Sequence, residues 1–369
     1  MKFMHISDLH IGRSLETVPL YEDQEYILKQ ISETAEKEGV SAVVIAGDIY
    51  DKSMPSARSM EILDAFLTDL SRKGIKVLAI SGNHDSQERV NYGARLFKEN
   101  GIYIAGEVEA EVKKVEIDGV EFYLLPYIRP LYVKKYHADE DIATHARAVE
   151  LMLEGIAPKK PSVIIAHQFV ISAKGETKRT DSEISVGGTE GIDASLFEKF
   201  DYTALGHLHR AQCIGSERVR YCGTPLKYSK SEANDRKSVT IVDTDKDMEY
   251  TTVELKPLHE VRAIRGKIAE LIKAARETCE ISEDYVYATL TDEDVTDAAG
   301  QLRSVYPNLV SVTIDNERNK YDNEIGIADI EQGIRTEEMF AEFFALQNNR
   351  ELSDEERAVI AELLGGEEA

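Results

Sequence analysis

Short apolar runs recur through the first two-thirds of the chain, and each breaks off abruptly into glycine and polar positions. Lys2–Ile6, Ala42–Ala46, Lys76–Ile80, Ser162–Ile165 and Tyr202–Leu205 predict strands. Between the first of them the period changes to that of amphipathic helices. Tyr26, Ile27, Ile31 and Ala35 share one side of a helix over 22–38, and Met60, Leu63, Phe66, Leu67 and Leu70 fall at helical spacing over 56–73. Pro55 suits the start of the second helix and Gly74 its end. A third, shorter helix is expected over 90–99. Strand and helix thus alternate over residues 1–105 as in a βαβ sheet.

Beyond residue 112 the pattern favours strands. Runs over 112–117 and 120–125 flank Asp118-Gly119, a hairpin signal. A helix near 142–153 follows, then strands over 219–222, 238–243 and 249–254. The polar stretch 172–191, with Lys174, Lys178 and Arg179, reads as a long loop. Pro257 marks a boundary, after which 262–314 reads β-α-β-α-β. A polar linker then leads to two short helices, 337–347 and 354–364, that are rich in Phe and Leu. The expected division is 1–257, 258–318 and 319–369, in an α/β protein with a small α+β module and C-terminal helices.

Charge narrows the class. A net charge of −24 argues against tight, autonomous DNA binding, although bound dications invert the local field. Cys213, Cys222 and Cys279 form neither a zinc pattern nor a disulfide framework. With no run long enough to span a bilayer and no leader pattern at Met1, a cytoplasmic protein is expected.

The chemistry lies where the five strands end, in Asp8-Leu9-His10, Gly47-Asp48, Gly82-Asn83-His84-Asp85, Ala166-His167 and Gly206-His207-Leu208-His209. Ligands leaving strand ends converge on one rim of a sheet. Asp8, His10, Asp48, Asn83, His167, His207 and His209 offer oxygen and imidazole nitrogen without thiolate, a set suited to Mn²⁺, Fe or Zn²⁺. They are too many for one ion and about right for two, if a carboxylate bridges. His84 is placed to protonate or hydrogen-bond a leaving alkoxide, with Asp85 to orient it. His5, inside the first strand, reads as a packed core residue, while His137, His145 and His259 read as surface residues.

In this order the motifs resemble those of the calcineurin-like metallophosphoesterases. Further strings are similar to the SbcD family of nuclease subunits: Gly47-Asp48-Ile49-Tyr50-Asp51, Ser185-Val186-Gly187-Gly188 and Gly223-Thr224-Pro225-Leu226-Lys227-Tyr228-Ser229. The resemblance implies a β-sandwich flanked by helices, capped by 258–318. It implies one metal on Asp8, His10, Asp48 and His209, another on Asp48, Asn83, His167 and His207, and His84 as the catalytic histidine. It further implies Mn²⁺, 3′–5′ exonuclease action on double-stranded DNA and endonuclease action on hairpins and single strands. An SbcC ATPase would bind the C-terminal helices, and the region around Met60, Phe66, Leu70, Leu96 and Phe97 would form a homodimer. Gly82-Asn83-His84-Asp85 departs from the Gly-Asn-His-Glu of phosphoprotein phosphatases, which disfavours that branch. Asp51 stands where related nucleases carry a second histidine, so that histidine's role does not transfer. A metallophosphodiesterase of small nucleotides is the alternative.

Overall fold

Every predicted apolar run forms a strand, and those before residue 260 build two six-stranded sheets. The first joins β1 (Lys2–Ile6), β2 (Ala42–Ala46), β3 (Lys76–Ile80) and β4 (Ile102–Ala105) in parallel. The second is built from β5 (Lys113–Ile117), β6 (Val120–Leu125), β7 (Ser162–His167), β8 (Tyr202–Gly206), β9 (Gln212–Ile214) and β10 (Ser216–Tyr221), in the order β9-β10-β8-β7-β6-β5. The chain then returns to the first sheet, where β11 (Ser238–Asp243) lies antiparallel to β1 and β12 (Glu249–Glu254) completes the edge. This computed structural model describes residues 1–172, 191–277, 283–293, 295–315 and 352–353, and it divides into two units after Glu260.

The two six-stranded sheets share a core. Phe3, Val44 and Leu78 from one pack with Phe122, Ile165 and Tyr202 from the other. The Phe3 ring meets Phe122 and Tyr202 edge-on at 5.5 and 5.8 Å, a favourable aromatic geometry. Helices Tyr21–Lys37 and Ala57–Arg72 carry a buried apolar stripe that includes Ile27, Ile31, Phe66 and Leu70. Helix His145–Leu153 contributes Ala148, Val149 and Met152 to a second core with Ile164, Leu205 and Tyr221.

Two local expectations are corrected, and the dimer residues are sorted by burial. Helix Ala57–Arg72 starts from Ser56, whose Oγ accepts the Ser59 N–H at 3.1 Å, so Pro55 precedes the cap rather than sitting in the first turn. The helix expected over 90–99 is broken into Gln87–Asn91 and Ala94–Phe97, because Gly93 takes a left-handed φ of 77°. Of the proposed dimer residues, Phe66 and Leu70 are core, whereas Met60 and Leu96 are exposed, as is the neighbouring Tyr92.

The second unit holds β13 (Val261–Gly266), β14 (Tyr285–Leu290) and β15 (Leu309–Ile314), all parallel with β14 in the centre. Helices Ile268–Glu277 and Ala298–Arg303 add Ile268 and Leu302 to a core around Val286, Ala288 and Leu290. The stretch with Lys174, Lys178 and Arg179, the Ser185–Gly188 string, and both C-terminal helices lie outside the described residues.

Candidate metal centre

Parallel pairing within each sheet sends the carboxyl ends of β1, β2, β3, β7 and β8 to a common rim, the usual place for a site in an α/β sheet. The loops there are tied backbone to backbone: Asp8 N–H donates to Gly47 O at 3.0 Å, and His10 N–H to Asp48 O at 3.0 Å. Two motif glycines are required by close approach. A Cβ on Gly82 would lie 2.1 Å from Asp48 Oδ1, and one on Gly206 would lie 2.0 Å from Ala46 O.

All seven sequence-predicted ligands meet here. One ligand atom each of Asp8, His10 and His209 falls within 4.8 Å of the others; so do those of Asp8, Asp48 and His167, and those of His10, Asp48 and His84. Asp48 Oδ2 lies between His10 Nε2 at 3.6 Å and His167 Nε2 at 3.4 Å. Asn83 Oδ1 stands 2.9 Å from both His167 Nε2 and His207 Nδ1. His10 Nε2 and His209 Nε2 face each other at 3.2 Å. Asp8 accepts the His207 N–H at 3.0 Å and is also bonded by the Ser7 hydroxyl.

This arrangement gathers lone pairs. The His167 Nδ1–H donates to Ala46 O at 2.8 Å, which leaves Nε2 pointing at the oxygens of Asp48 and Asn83. Burial pulls the His167 pKa down, but the Asp48 carboxylate more than offsets it and lifts the ring to about 9. Burial would raise Asp48, yet His167 beside it holds the carboxyl well below the usual range. Burial drives Asp8 up to about 6, and burial with His167 lowers His207 to about 3. A pocket of facing acceptors demands positive charge, as a proton or a metal ion, and its oxygen and imidazole donors fit divalent ions. Asp8, His10 and Asp48 hold left-handed backbone at φ 52°, 44° and 48°, and His207 sits at φ 106°. Such strain in non-glycine residues clusters at functional sites.

His84 borders the pocket, its ring edge-on to His10 at 4.9 Å. Its Nδ1 meets the Asp51 carbonyl at 2.9 Å, and its backbone N–H donates to Asp48 Oδ1 at 2.9 Å. Asp85 does not orient that ring, which corrects the expectation. The Asp85 carboxylate instead accepts the backbone N–H groups of Gly82, Ile49 and Tyr50 at 2.8, 3.1 and 2.9 Å, clamping two site loops together. Burial first, then Asp48, raises its carboxyl to about 6.

A shell unread in the sequence lies behind His209. Glu232 is wholly buried, with Oε1 3.6 Å from His209 Nδ1. Lys237 Nζ donates to Glu232 Oε2 at 2.6 Å, Thr224 Oγ1 at 2.7 Å and His209 O at 3.1 Å. Although burial would raise Glu232, His209 and Lys237 hold its carboxyl well below the ordinary value. Gln24 Nε2 donates to His10 O at 2.7 Å, and the Tyr228 hydroxyl donates to Leu9 O. Of these residues, Thr224 and Tyr228 fall in the 223–229 string; Gln24, Glu232 and Lys237 lie outside every motif of the sequence. Of the other histidines, His5 is buried as expected. His259 is half-buried against Asp23, its Nδ1 3.1 Å from Oδ1, and the half-buried His145 ring lies 6.2 Å from that of Tyr127 at a tilt of 38°, so neither is a plain surface residue.

The β-sandwich, the strained rim and the converging imidazoles and carboxylates define a metallophosphoesterase. A family model described as calcineurin-like phosphoesterase matches residues 1–211, and one described as the type 5 capsule protein repressor C-terminal domain matches residues 257–348. The SbcD subunit of the SbcCD nuclease from Staphylococcus epidermidis is 34% identical over 330 residues, covering 86% of this chain and 87% of that protein. A dimetal phosphatase from Danio rerio superposes with a TM-score of 0.42 at 11% identity, over 69% of this chain and 99% of that one. The chain belongs to the calcineurin-like phosphoesterases and, within them, to the SbcD nuclease subunits, and is therefore a metal-dependent phosphodiester hydrolase.

Proposed function

We propose that this chain is a Mn²⁺-dependent DNA nuclease: a 3′–5′ exonuclease on double strands and an endonuclease on hairpins and single strands. The observation that carries the reading is the convergence of the seven ligands on one rim with His84 beside them. In this reading Asp8, His10, Asp48 and His209 hold one ion, and Asp48, Asn83, His167 and His207 hold the other. Bound ions would supply the charge that fixes the phosphodiester and lowers the pKa of the attacking water. The chain does the rest. Glu232 orients His209, the Asp51 carbonyl fixes the His84 ring, and His84 protonates the leaving alkoxide.

The similarity to a component of SbcCD supports DNA as substrate and an SbcC ATPase as partner in repair and recombination, which goes with a cytoplasmic location. Residues 1–257 then form the nuclease domain, 258–318 the capping domain, and 319–369 the linker and partner-binding helices. Of the residues expected to form a homodimer, Met60, Leu96 and Phe97 are exposed, which supports pairing through that region. Deleting 335–369 is expected to abolish co-purification with SbcC while sparing metal-dependent hydrolysis of a small phosphodiester.

The direct test compares cleavage of a DNA hairpin with that of cyclic nucleotides in Mn²⁺. Preference for the hairpin is expected. Preference for the cyclic nucleotide would instead establish a small-molecule phosphodiesterase.

A further inference from the structure

We propose that the Asp51 carboxylate is a positioning group for His10: it accepts the proton on the outer ring nitrogen and so holds the inner nitrogen toward the metal centre. The proposal rests on the metal-centre reading and adds a residue to it. The His10 ring is wholly buried, edge-on to His84 and Tyr228 at 4.9 and 5.7 Å and tilted against His209 at 5.1 Å. Its Nε2 points into the rim, 3.2 Å from His209 Nε2 and 3.6 Å from Asp48 Oδ2. A neutral imidazole that offers Nε2 as a lone pair carries its proton on Nδ1. Among the described residues that buried Nδ1 has no hydrogen-bond partner, a costly state for a polar atom away from water. Asp51 Oδ1 stands 3.8 Å from it, so a shift of about 1 Å makes the bond.

Asp51 is itself fixed at three points. Its N–H donates to Ile11 O at 3.2 Å, and its carbonyl accepts from His84 Nδ1 at 2.9 Å. Arg13 Nη1 donates to Oδ1 at 2.8 Å, which leaves the second lone pair of that oxygen for His10. The same construction stands behind His209, where Glu232 Oε1 lies 3.6 Å from Nδ1 and Lys237 Nζ donates to Glu232 Oε2 at 2.6 Å. Two histidines that face each other across the rim are thus each backed by a carboxylate, and each carboxylate by a cation. A carboxylate behind a ligating imidazole fixes its tautomer and ring angle and raises its basicity. His167 is backed differently, by the backbone carbonyl of Ala46.

The test is calorimetric titration of Mn²⁺ into the full-length chain. Asp51→Ala should weaken one of two ions about 10- to 100-fold and leave the other unchanged. Asp51→Asn, which keeps an acceptor oxygen, should bind that ion within about threefold of wild type, and so should Arg13→Gln, which removes only the ion pair. Hydrolysis by Asp51→Ala should fall at low Mn²⁺ and recover as Mn²⁺ is raised, because the carbonyl that holds His84 is untouched. Unchanged Mn²⁺ affinity in Asp51→Ala would overturn the proposal. An equal loss in Arg13→Gln would overturn it by making the ion pair the source of the effect, and an equal loss in Asp51→Asn by showing that an acceptor oxygen is not what counts. A wild type that binds no Mn²⁺ would fail the metal-centre reading itself and this inference with it.

Discussion

Both units are built around parallel strands, yet their strand ends differ. In the first unit, β1, β2 and β8 run into Asp8, His10, Asp48 and His207, all with positive φ; His10, Asp48 and His207 each meet another ionisable or amide side chain of the rim, and Asp8 accepts the His207 N–H. In the second unit, the one described non-glycine residue with positive φ is Asp297, and its cause is local: its side chain caps helix Ala298–Arg303 by accepting the Gly300 N–H at 3.2 Å. Strained backbone costs on the order of 1 kcal/mol per residue and persists only where surrounding contacts enforce it. A parallel sheet supplies a rim, but the rim becomes a site only where buried charge and strained loops are imposed on it. Among its described residues, the second unit is sheet geometry without those features.

Removing the Asp48 carboxylate is the hardest blow to this contrast. Asp48→Ala should abolish Mn²⁺-dependent hydrolysis and lower metal stoichiometry, while β13–β15 keeps its fold by hydrogen exchange. His84→Gln should come next, with turnover down roughly 10²–10⁴-fold. Metal binding is expected to survive in that variant, and parallel loss of metal would make His84 a ligand. Glu232→Gln tests the shell behind His209 and should weaken Mn²⁺ affinity roughly 10- to 100-fold by calorimetry. In the second unit, Val286→Ala in a fully buried position should cost about 2 kcal/mol of that unit's stability. Its turnover on a small phosphodiester should match wild type.

The smallest effect concerns His5, which is buried in β1 but takes no part in the rim. Burial, then Arg220, lowers its pKa to about 3, and its nitrogens are satisfied by Tyr202 Oη at 3.1 Å and Leu205 O at 3.2 Å. Between pH 6.5 and 3 the unfolded chain takes up a proton there and the folded chain does not. Stability linked to His5 is therefore complete above pH 6.5 and lost as pH falls. Thermal melts of wild type and His5→Gln should diverge by no more than about 2 kcal/mol at about pH 5 compared with about pH 7.5.

Much of the rim was legible because strand ends are punctuated. Apolar runs stop at Gly-Asp, Gly-Asn-His-Asp and Gly-His-x-His, and the glycines report close approaches that only they permit. Side-chain partnerships were not legible. Asp85 neighbours His84 in sequence, yet its carboxylate turns to three backbone N–H groups, and the distant Asp51 carbonyl meets the ring instead. Glu232 meets His209 directly from 23 residues away, and is held by a buried Lys237 whose role no local pattern announces. Periodicity locates backbone elements, whereas a second layer of polar contacts depends on how loops fold over one another. Gly93 shows the same limit on a smaller scale, since its left-handed turn interrupts a pattern that reads as one helix.

The central claim is that the five strand ends hold two divalent ions that share Asp48. Calorimetric titration of Mn²⁺ into the full-length chain tests it most directly. Two ions per chain are expected, with Asp48→Ala retaining at most one, weakly bound. A single ion per chain, or a stoichiometry unchanged by Asp48→Ala, would contradict it.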